Sequence, residues 1–181
     1  IVNQASLARD LGTNAPTLSE YLSYLEDGYL IQVLPKHAKR ASRQLRGMPK
    51  LYVTDPGILN ATLDRMGHVL GRKETMGVLA EGVVLDHLAR HARATGGRVS
   101  FWKDRADREV DAVLEHGDRF LPVEVKSADV DLGVQAVRRF LDQEGGDWGL
   151  VLHREPKIGP RSTEDGRVLI LPLAYFLAGL D

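Results

Sequence analysis

The sequence predicts a mixed α/β protein in which short helices and a hairpin precede a larger α/β sandwich. Residues 1–66 contain two short helical patterns punctuated by proline and glycine, followed by two strand-like runs. Residues 74–181 contain a long helical pattern, three strand-like runs, a second helix and further strands. That order is typical of helices packed around a mixed sheet.

The composition is that of a folded protein with almost no net charge. The chain has 181 residues, 24 Lys and Arg against 25 Asp and Glu, and 43% hydrophobic residues, which excludes wholesale disorder. The absence of cysteine excludes a disulfide scaffold, a cysteine nucleophile and a thiolate zinc site.

The sequence also carries expectations about location. No apolar run approaches the roughly 20 residues that span a bilayer, and no signal-peptide pattern is present. We therefore expect a cytoplasmic protein with no membrane partner. The first residue is Ile1 rather than Met, which indicates a piece of a longer protein.

The first residues outline a helix-turn-helix. Ser6 is the predicted cap of a short helix over residues 7–11, which Gly12 ends. A second helix has Pro16 in its first turn and repeats apolar residues at helical spacing as far as Asp27. Two amphipathic helices joined by a tight turn are typical of that motif.

Strand-like runs at residues 30–34 and 50–53 extend this outline to a winged helix-turn-helix. No Asp or Glu lies between Gly28 and Thr54, so the loop between the strands is strongly basic. On DNA, the second helix would enter the major groove and the wing would touch phosphates. A solvated basic loop, a protein-contact module and a spacer remain alternatives. The predicted nucleic-acid contacts are Asn14, Thr17, Lys36, Lys39, Arg40, Arg43, Arg46 and Lys50.

A glycine-containing polar stretch at residues 67–73 is the predicted seam between two domains, 1–66 and 74–181. A short helix over residues 58–66 precedes it. After the seam we predict helices at 76–95, 131–143 and 173–180, and strands at 99–103, 109–114, 120–126, 148–153 and 168–171.

The second and third of these strands form a predicted hairpin with a two-residue turn at Gly117-Asp118. His116 then pairs with Arg119, and Asp111 falls opposite Glu124. Strand alternation gives the hairpin one uniformly apolar face, formed by Val110, Ala112, Leu114, Leu121, Val123 and Val125. The opposite face holds Asp111, Glu124 and Lys126.

Two facing carboxylates repel each other unless a cation or a proton lies between them. A hard divalent ion, Mg²⁺ or Mn²⁺, would resolve the conflict between Asp111 and Glu124. Lys126 would then orient a bound water or offset negative charge on a phosphate. The alternative is an ion-pair network in which Lys126 pairs with Glu109.

The pattern Asp111, then Glu124-Val125-Lys126, resembles the PD-(D/E)XK motif of restriction-endonuclease-like nucleases. The resemblance implies that fold and a catalytic set of Glu81, Asp111, Glu124 and Lys126, with the three acids as metal ligands. Glu81 matches the glutamate of the preceding core helix, and Gln135 weakly matches an accessory glutamine. Val110 stands where many members have proline.

The whole chain resembles the C-terminal portion of a family of bacterial and archaeal AAA-type ATPases of unknown function. Segments 51–57, 108–111 and 123–127 carry the resemblance. It implies an ATPase module upstream in the same polypeptide, because no Walker-type loop occurs here.

Two main hypotheses about function follow. The first is a Mg²⁺-dependent phosphodiesterase acting on DNA, in which the winged helix supplies backbone binding. The second is a catalytically silent module that binds DNA or protein and regulates the upstream ATPase. A transcription regulator is a third alternative, and the oligomeric state is left open.

Overall fold

The computed structural model describes residues 1–38, 48–62, 73–126, 129–154 and 159–179. Within them the chain has a mixed α/β architecture with one two-stranded and one six-stranded sheet. Among the helices in the described ranges, none combines the length and the apolar character that a bilayer span requires.

Two short helices open the chain. Helix α1 spans Gln4–Asp10, and its cap is Asn3, whose Oδ1 accepts a hydrogen bond from the Ser6 amide at 3.0 Å. The prediction of Ser6 as the cap was wrong, because Asn3 stands three residues earlier and its side chain reaches the free amide. Helix α2 spans Ala15–Asp27, begins at the cap Asn14 and ends at Gly28.

Strands β1 (Ile31–Leu34) and β2 (Lys50–Val53) form an antiparallel pair in which Leu34 lies opposite Lys50. Helix α3 spans Pro56–Thr62, so it begins two residues earlier than predicted, with proline in its first turn. The end of the predicted helix and the predicted seam at 67–73 lie outside the described residues.

The six-stranded sheet has the order β3-β4-β5-β6-β8-β7 and is mixed. The pairs β5–β6 and β6–β8 are parallel, and the other neighbours are antiparallel. Its strands are β3 (Arg98–Lys103), β4 (Glu109–His116), β5 (Arg119–Lys126), β6 (Gly149–His153), β7 (Arg161–Ser162) and β8 (Val168–Pro172).

Helices cover both faces of this sheet. Helix α4 (Lys73–Thr95) buries Leu85 and Leu88 against one face, where Phe176 of the closing helix α6 (Leu173–Ala178) also packs. Helix α5 (Val130–Glu144) buries Val137 and Phe140 against the other face. The parallel strand β6 is buried at every position, as a strand between two helical layers should be.

A register shift between Ser100 and Trp102 interrupts the pairing of β3 with β4. It changes the alternation of β4, so that Val110 packs with Val113 in the α5-side cluster, while Ala112 packs on the α4 side. The predicted single apolar face was therefore wrong for Val110. The remaining five members lie together in the α4-side cluster.

The N-terminal segment packs directly onto the edge of the six-stranded sheet. Leu34 is 1% exposed and belongs to the same apolar cluster as Leu85 and Phe101. Beyond β1 the chain runs alongside β3, where Phe101 donates its amide to Pro35 and accepts from the His37 amide. Leu34 thus extends the core of the sheet into the N-terminal segment, whereas α1 and α2 form a separate small cluster with Ala8, Leu18 and Leu22 at its centre.

Candidate functional site: an acidic cluster with two lysines

The β4–β5 hairpin has the register that the sequence predicts. His116 pairs with Arg119, and the turn residue Gly117 has a φ of 58°, which favours glycine. The ladder of paired residues ends at Ala112 and Val123. Asp111 and Glu124 follow directly, at the end where regular pairing stops.

At this end the two carboxylates replace backbone carbonyls as hydrogen-bond acceptors. Glu124 Oε2 accepts from the Asp111 amide at 3.0 Å, and Asp111 Oδ2 accepts from the Val125 amide at 2.9 Å. Asp111 is 8% exposed and Glu124 is 2% exposed. The exchange satisfies buried amides and fixes both acids close together.

Two lysines approach these acids from different sides. Lys126 forms an ion pair with Glu124 on the same strand. Lys50, from β2, forms an ion pair with Glu109, and its Nζ lies 3.9 Å from Asp111 Oδ1. The acids therefore carry partial charge compensation from the protein itself.

The structure places Lys50 differently from the expectation of a phosphate contact on an exposed wing. Lys50 is 8% exposed and lies near the ring of Phe101, 5.3 Å from its centroid. Burial lowers the pKa of Lys50, although Asp111, Glu81 and Glu124 oppose this change. Lys50 therefore belongs to one group of charged side chains, which we call the acidic cluster and which also contains Glu81, Glu109, Asp111, Glu124 and Lys126.

Glu81 approaches from α4, and its pKa reflects how close the acids lie. Burial and then the charge of Asp111 raise the pKa of Glu81 to about 7. Burial and then Asp111 likewise raise the pKa of Glu124 to about 8, and burial raises the pKa of Asp111. Raised pKa values of this kind are typical of buried carboxylates whose negative charges are not fully balanced by nearby cations.

The oxygen atoms of these carboxylates suit a hard divalent cation, because the two lysines balance only part of their negative charge. The side chains are not, however, arranged as a complete metal site. Among the residues that the structure describes, no three His, Asp or Glu side chains are grouped so as to hold a metal ion. A cation would need Asp111 and Glu124 to exchange some of their present contacts for it.

Other predicted site residues lie away from this cluster. Gln135 is exposed on α5, whose buried positions include Gly133, Val134 and Val137. It therefore lies on the solvent side of the helix.

The predicted major-groove residues lie at the start of α2. Asn14 Oδ1 accepts from the Thr17 amide at 2.9 Å, so the Asn14 side chain serves as a helix cap. Helix α2 contains three acidic residues and no Lys or Arg, which does not favour approach to phosphates.

Of the predicted basic wing residues, Lys36 is half-buried and lies beside β3, bridging to Phe101. The others lie outside the described residues: Lys39, Arg40, Arg43 and Arg46.

Sequence reasoning missed Lys50 as a member of the cluster around Asp111, and it named Glu109 only as an alternative ion-pair partner of Lys126. Glu109 lies two residues before Asp111 and binds Lys50, with Lys103 Nζ 3.6 Å from its other oxygen. Strand alternation could have placed Glu109 in the cluster, because residues two apart, such as Glu109 and Asp111, lie on the same face of a strand. No local pattern could have found Lys50, which is 61 residues from Asp111 in a different sheet.

Two family models match the chain. One, a domain of unknown function (DUF4143), matches residues 76–174, which is more than half of the chain and contains the whole acidic cluster apart from Lys50. The chain belongs to this family. A second domain of unknown function (DUF8612) matches residues 1–68 of this DUF4143 member.

Curated relatives of this DUF4143 chain include uncharacterized proteins from Mycobacterium bovis and Mycobacterium tuberculosis. Each is 34% identical over 126 residues, which is 67% of this chain. The match covers only 27% of each relative's length. No solved structure matches the chain.

Proposed function

We propose that this DUF4143 chain is a metal-dependent phosphodiesterase that acts on nucleic acid, with DNA as its substrate. One observation carries the proposal: Asp111, Glu124 and Lys126 meet where regular β4–β5 pairing stops, within electrostatic reach of Glu81. Carboxylates and an amine in this arrangement suit hydrolysis of a phosphate ester.

Glu81, Asp111 and Glu124 would hold Mg²⁺ or Mn²⁺. When bound, such an ion polarises the phosphate and lowers the pKa of a water. The backbone amides of Asp111 and Val125 orient the two acids, and Lys126 offsets negative charge that develops on the phosphate. Lys50 restrains Glu109 and Asp111 on the side facing β2.

The proposal includes two structural assignments. The sheet of β3 to β8 with its flanking helices is a restriction-endonuclease-like fold, and residues 1–66 are a winged helix. The order helix, antiparallel hairpin strands, crossover helix and parallel strand supports the first assignment. Two helices followed by an antiparallel strand pair support the second.

We also propose that the chain is the C-terminal part of a larger protein that contains an AAA-type ATPase module. The segments 51–57, 108–111 and 123–127 that resemble that family support this. The curated relatives support only the larger size, because the matched segment is 27% of their length.

The deciding experiment compares nicking of supercoiled plasmid DNA by four proteins in Mg²⁺ or Mn²⁺. These are the native sequence, Asp111→Asn, Glu124→Gln and the control Asp118→Asn, which alters an exposed acid at the hairpin turn. We expect Asp111→Asn and Glu124→Gln to lose at least roughly 100-fold in rate, because each removes a metal-binding charge. Equal rates in all four proteins would refute the assignment.

A catalytically silent binding module is the second candidate function. It is favoured by the lysines that already pair within the cluster, and by the lack of a preformed three-acid group among the described residues. Calorimetry with Mn²⁺ separates the candidates. The enzyme requires a binding isotherm that Glu124→Gln abolishes, whereas the silent module gives no isotherm with either protein.

A further inference from the structure

A basic cavity of about 890 Å³ lies beside the acidic cluster, outside the proposed catalytic set. Its walls come from the segment after β1, the end of β3, the β3–β4 turn and the last turns of α5. The side chains that carry positive charge there are Lys36, Lys103, Arg105, Arg108 and Arg139.

The acids that line the same cavity do not balance this charge. Only Asp104 and Glu144 among the lining residues are acidic, against five cations. Asp104 accepts from Arg108 at 2.8 Å and from two backbone amides, so its charge is used within the turn. Glu144 accepts from the indole of Trp102 at 3.1 Å.

Three of the cations remain available to a ligand. Within the described part of the chain, neither Lys36 nor Arg105 has an ion-pair partner, and Arg105 is exposed. Arg139 is also exposed, and its Nε lies 3.9 Å from Asp104. Its guanidinium also donates to the side-chain oxygen of Gln143 at 2.7 and 3.0 Å, and this neutral amide does not compensate the positive charge. Guanidinium groups that are not committed to a carboxylate suit bidentate binding of phosphate oxygens.

A chain of charged contacts links the wall of this cavity to the acidic cluster. Lys103, in the cavity wall, lies 3.6 Å from Glu109, and Glu109 binds Lys50, whose Nζ is 3.9 Å from Asp111. A polyanion that fills the cavity would therefore reach the carboxylates over the length of a few side chains. This is the arrangement that an extended phosphodiester substrate requires.

We propose that this cavity binds the phosphodiester backbone of DNA next to the phosphate that is hydrolysed at the acidic cluster. The inference rests on the proposed function for its biological meaning, but the binding itself requires neither metal nor cleavage. Arg105 and Arg139 provide the main contacts, and Lys36 adds positive charge to the cavity wall. Contacts to phosphate give affinity without sequence preference.

The test measures binding of a fluorescein-labelled 20-base-pair DNA duplex by anisotropy, in EDTA and at several salt concentrations. The double variant Arg105→Ala/Arg139→Ala is compared with the native chain. The control is Arg119→Ala/Arg161→Ala, which removes two exposed arginines at the far end of the hairpin and in β7. Both variants change the net charge equally.

We expect the cavity variant to bind roughly tenfold more weakly or worse, with a salt slope smaller by roughly 2, since each phosphate contact adds about one unit. The control should keep the native affinity and slope. Equal losses in both variants, unchanged binding in the cavity variant, or no binding by the native chain would overturn the inference.

Two further arms separate this inference from the proposed function and identify the nucleic acid. Glu124→Gln should bind DNA normally even if it abolishes cleavage. If the native chain binds DNA through the cavity but never cleaves it, only the proposed enzymatic activity is refuted. An RNA duplex of the same sequence is titrated in parallel. Preference for RNA over DNA would overturn the assignment of DNA.

Discussion

Asp111 and Glu124 each accept a hydrogen bond from the backbone of the neighbouring strand, so their positions are set before any ligand arrives. The same burial that fixes them disfavours their ionised forms. At the scale of single residues, the site therefore holds carboxylates that keep a proton at unusually high pH. An added cation would release that proton.

This predicts how stability depends on pH in the metal-free protein. The folded-state pKa of Glu124 is raised to about 8, above an ordinary value of 4.5, so the folded state binds more protons than the unfolded state between these values. The free energy of unfolding should then fall as pH rises from about 5 to 8, by on the order of 2 kcal/mol. Urea denaturation in EDTA across this range measures it.

Glu124→Gln removes one of the titrating groups and should reduce this pH dependence, to which Glu81 also contributes because its pKa is raised to about 7. The exposed Asp118→Asn should leave the dependence unchanged. A native chain whose stability rises steadily from pH 5 to pH 8 would contradict the raised pKa. Stability recovered at pH 8 on addition of Mn²⁺, in the native chain alone, would match the proposed metal site.

At the scale of elements, α5 lies directly over the acidic cluster through a glycine. A Cβ atom added to Gly133 would stand 3.0 Å from Lys126 Cγ and from Val151 Cγ1, and 3.4 Å from Glu124 Cγ. The absence of a side chain here lets the helix approach β5 and β6 closely enough to bury Glu124. The burial of Glu124 therefore depends on the short distance between α5 and these two strands.

Gly133→Ala and Gly82→Ala form a matched pair that tests this close approach. A Cβ at Gly82, in α4, meets nothing closer than a carbonyl oxygen at 3.9 Å, so alanine should stabilise by up to about 1 kcal/mol through helix propensity. At Gly133 the overpacking outweighs that gain, and we expect a net loss of about 1 kcal/mol or more. Thermal denaturation of both variants measures the difference. A stabilised Gly133→Ala protein would show that α5 can move away freely.

At the scale of the whole molecule, the N-terminal segment and the six-stranded sheet share an apolar core. Leu34 is 1% exposed within the cluster of α4 and the sheet. Buried hydrogen bonds add to this contact between the N-terminal segment and the sheet. Glu115 accepts from His37 Nδ1 at 2.9 Å and from Ser100 Oγ at 2.7 Å. Residues on both sides of the predicted seam therefore depend on each other.

We accordingly expect one cooperative unfolding transition, in which tryptophan fluorescence and far-UV circular dichroism coincide. Leu34→Ala should lower the free energy of unfolding by about 3 kcal/mol, because it opens a cavity in the shared core. Leu11, which is 63% exposed, is the control, and Leu11→Ala should change stability by less than about 0.5 kcal/mol. Both tryptophans lie in β3 to β6 or next to them, so they report on the second part of the chain.

The result that would contradict a shared core is a fluorescence transition that Leu34→Ala leaves unchanged. Two separate transitions in the native chain would contradict it as well. Either outcome would mean that the N-terminal segment folds and unfolds independently of the sheet.

Sequence reasoning alone was sufficient for the local features of this protein. The positions of most helices and strands, and the pairing of His116 with Arg119, follow from periodicity and turn chemistry within short stretches. The closeness of Asp111 and Glu124 also follows, because a tight hairpin fixes the register over its whole length.

The distant residues that join Asp111 and Glu124 could be identified only from the packing of whole elements. Lys50 enters the cluster because β2 packs beside the sheet, and Val110 changes face because β4 shifts register against β3. The basic cavity gathers side chains from four separate segments of the chain. Such contacts depend on how whole elements pack, and no short-range pattern encodes the side-chain arrangement that packing selects.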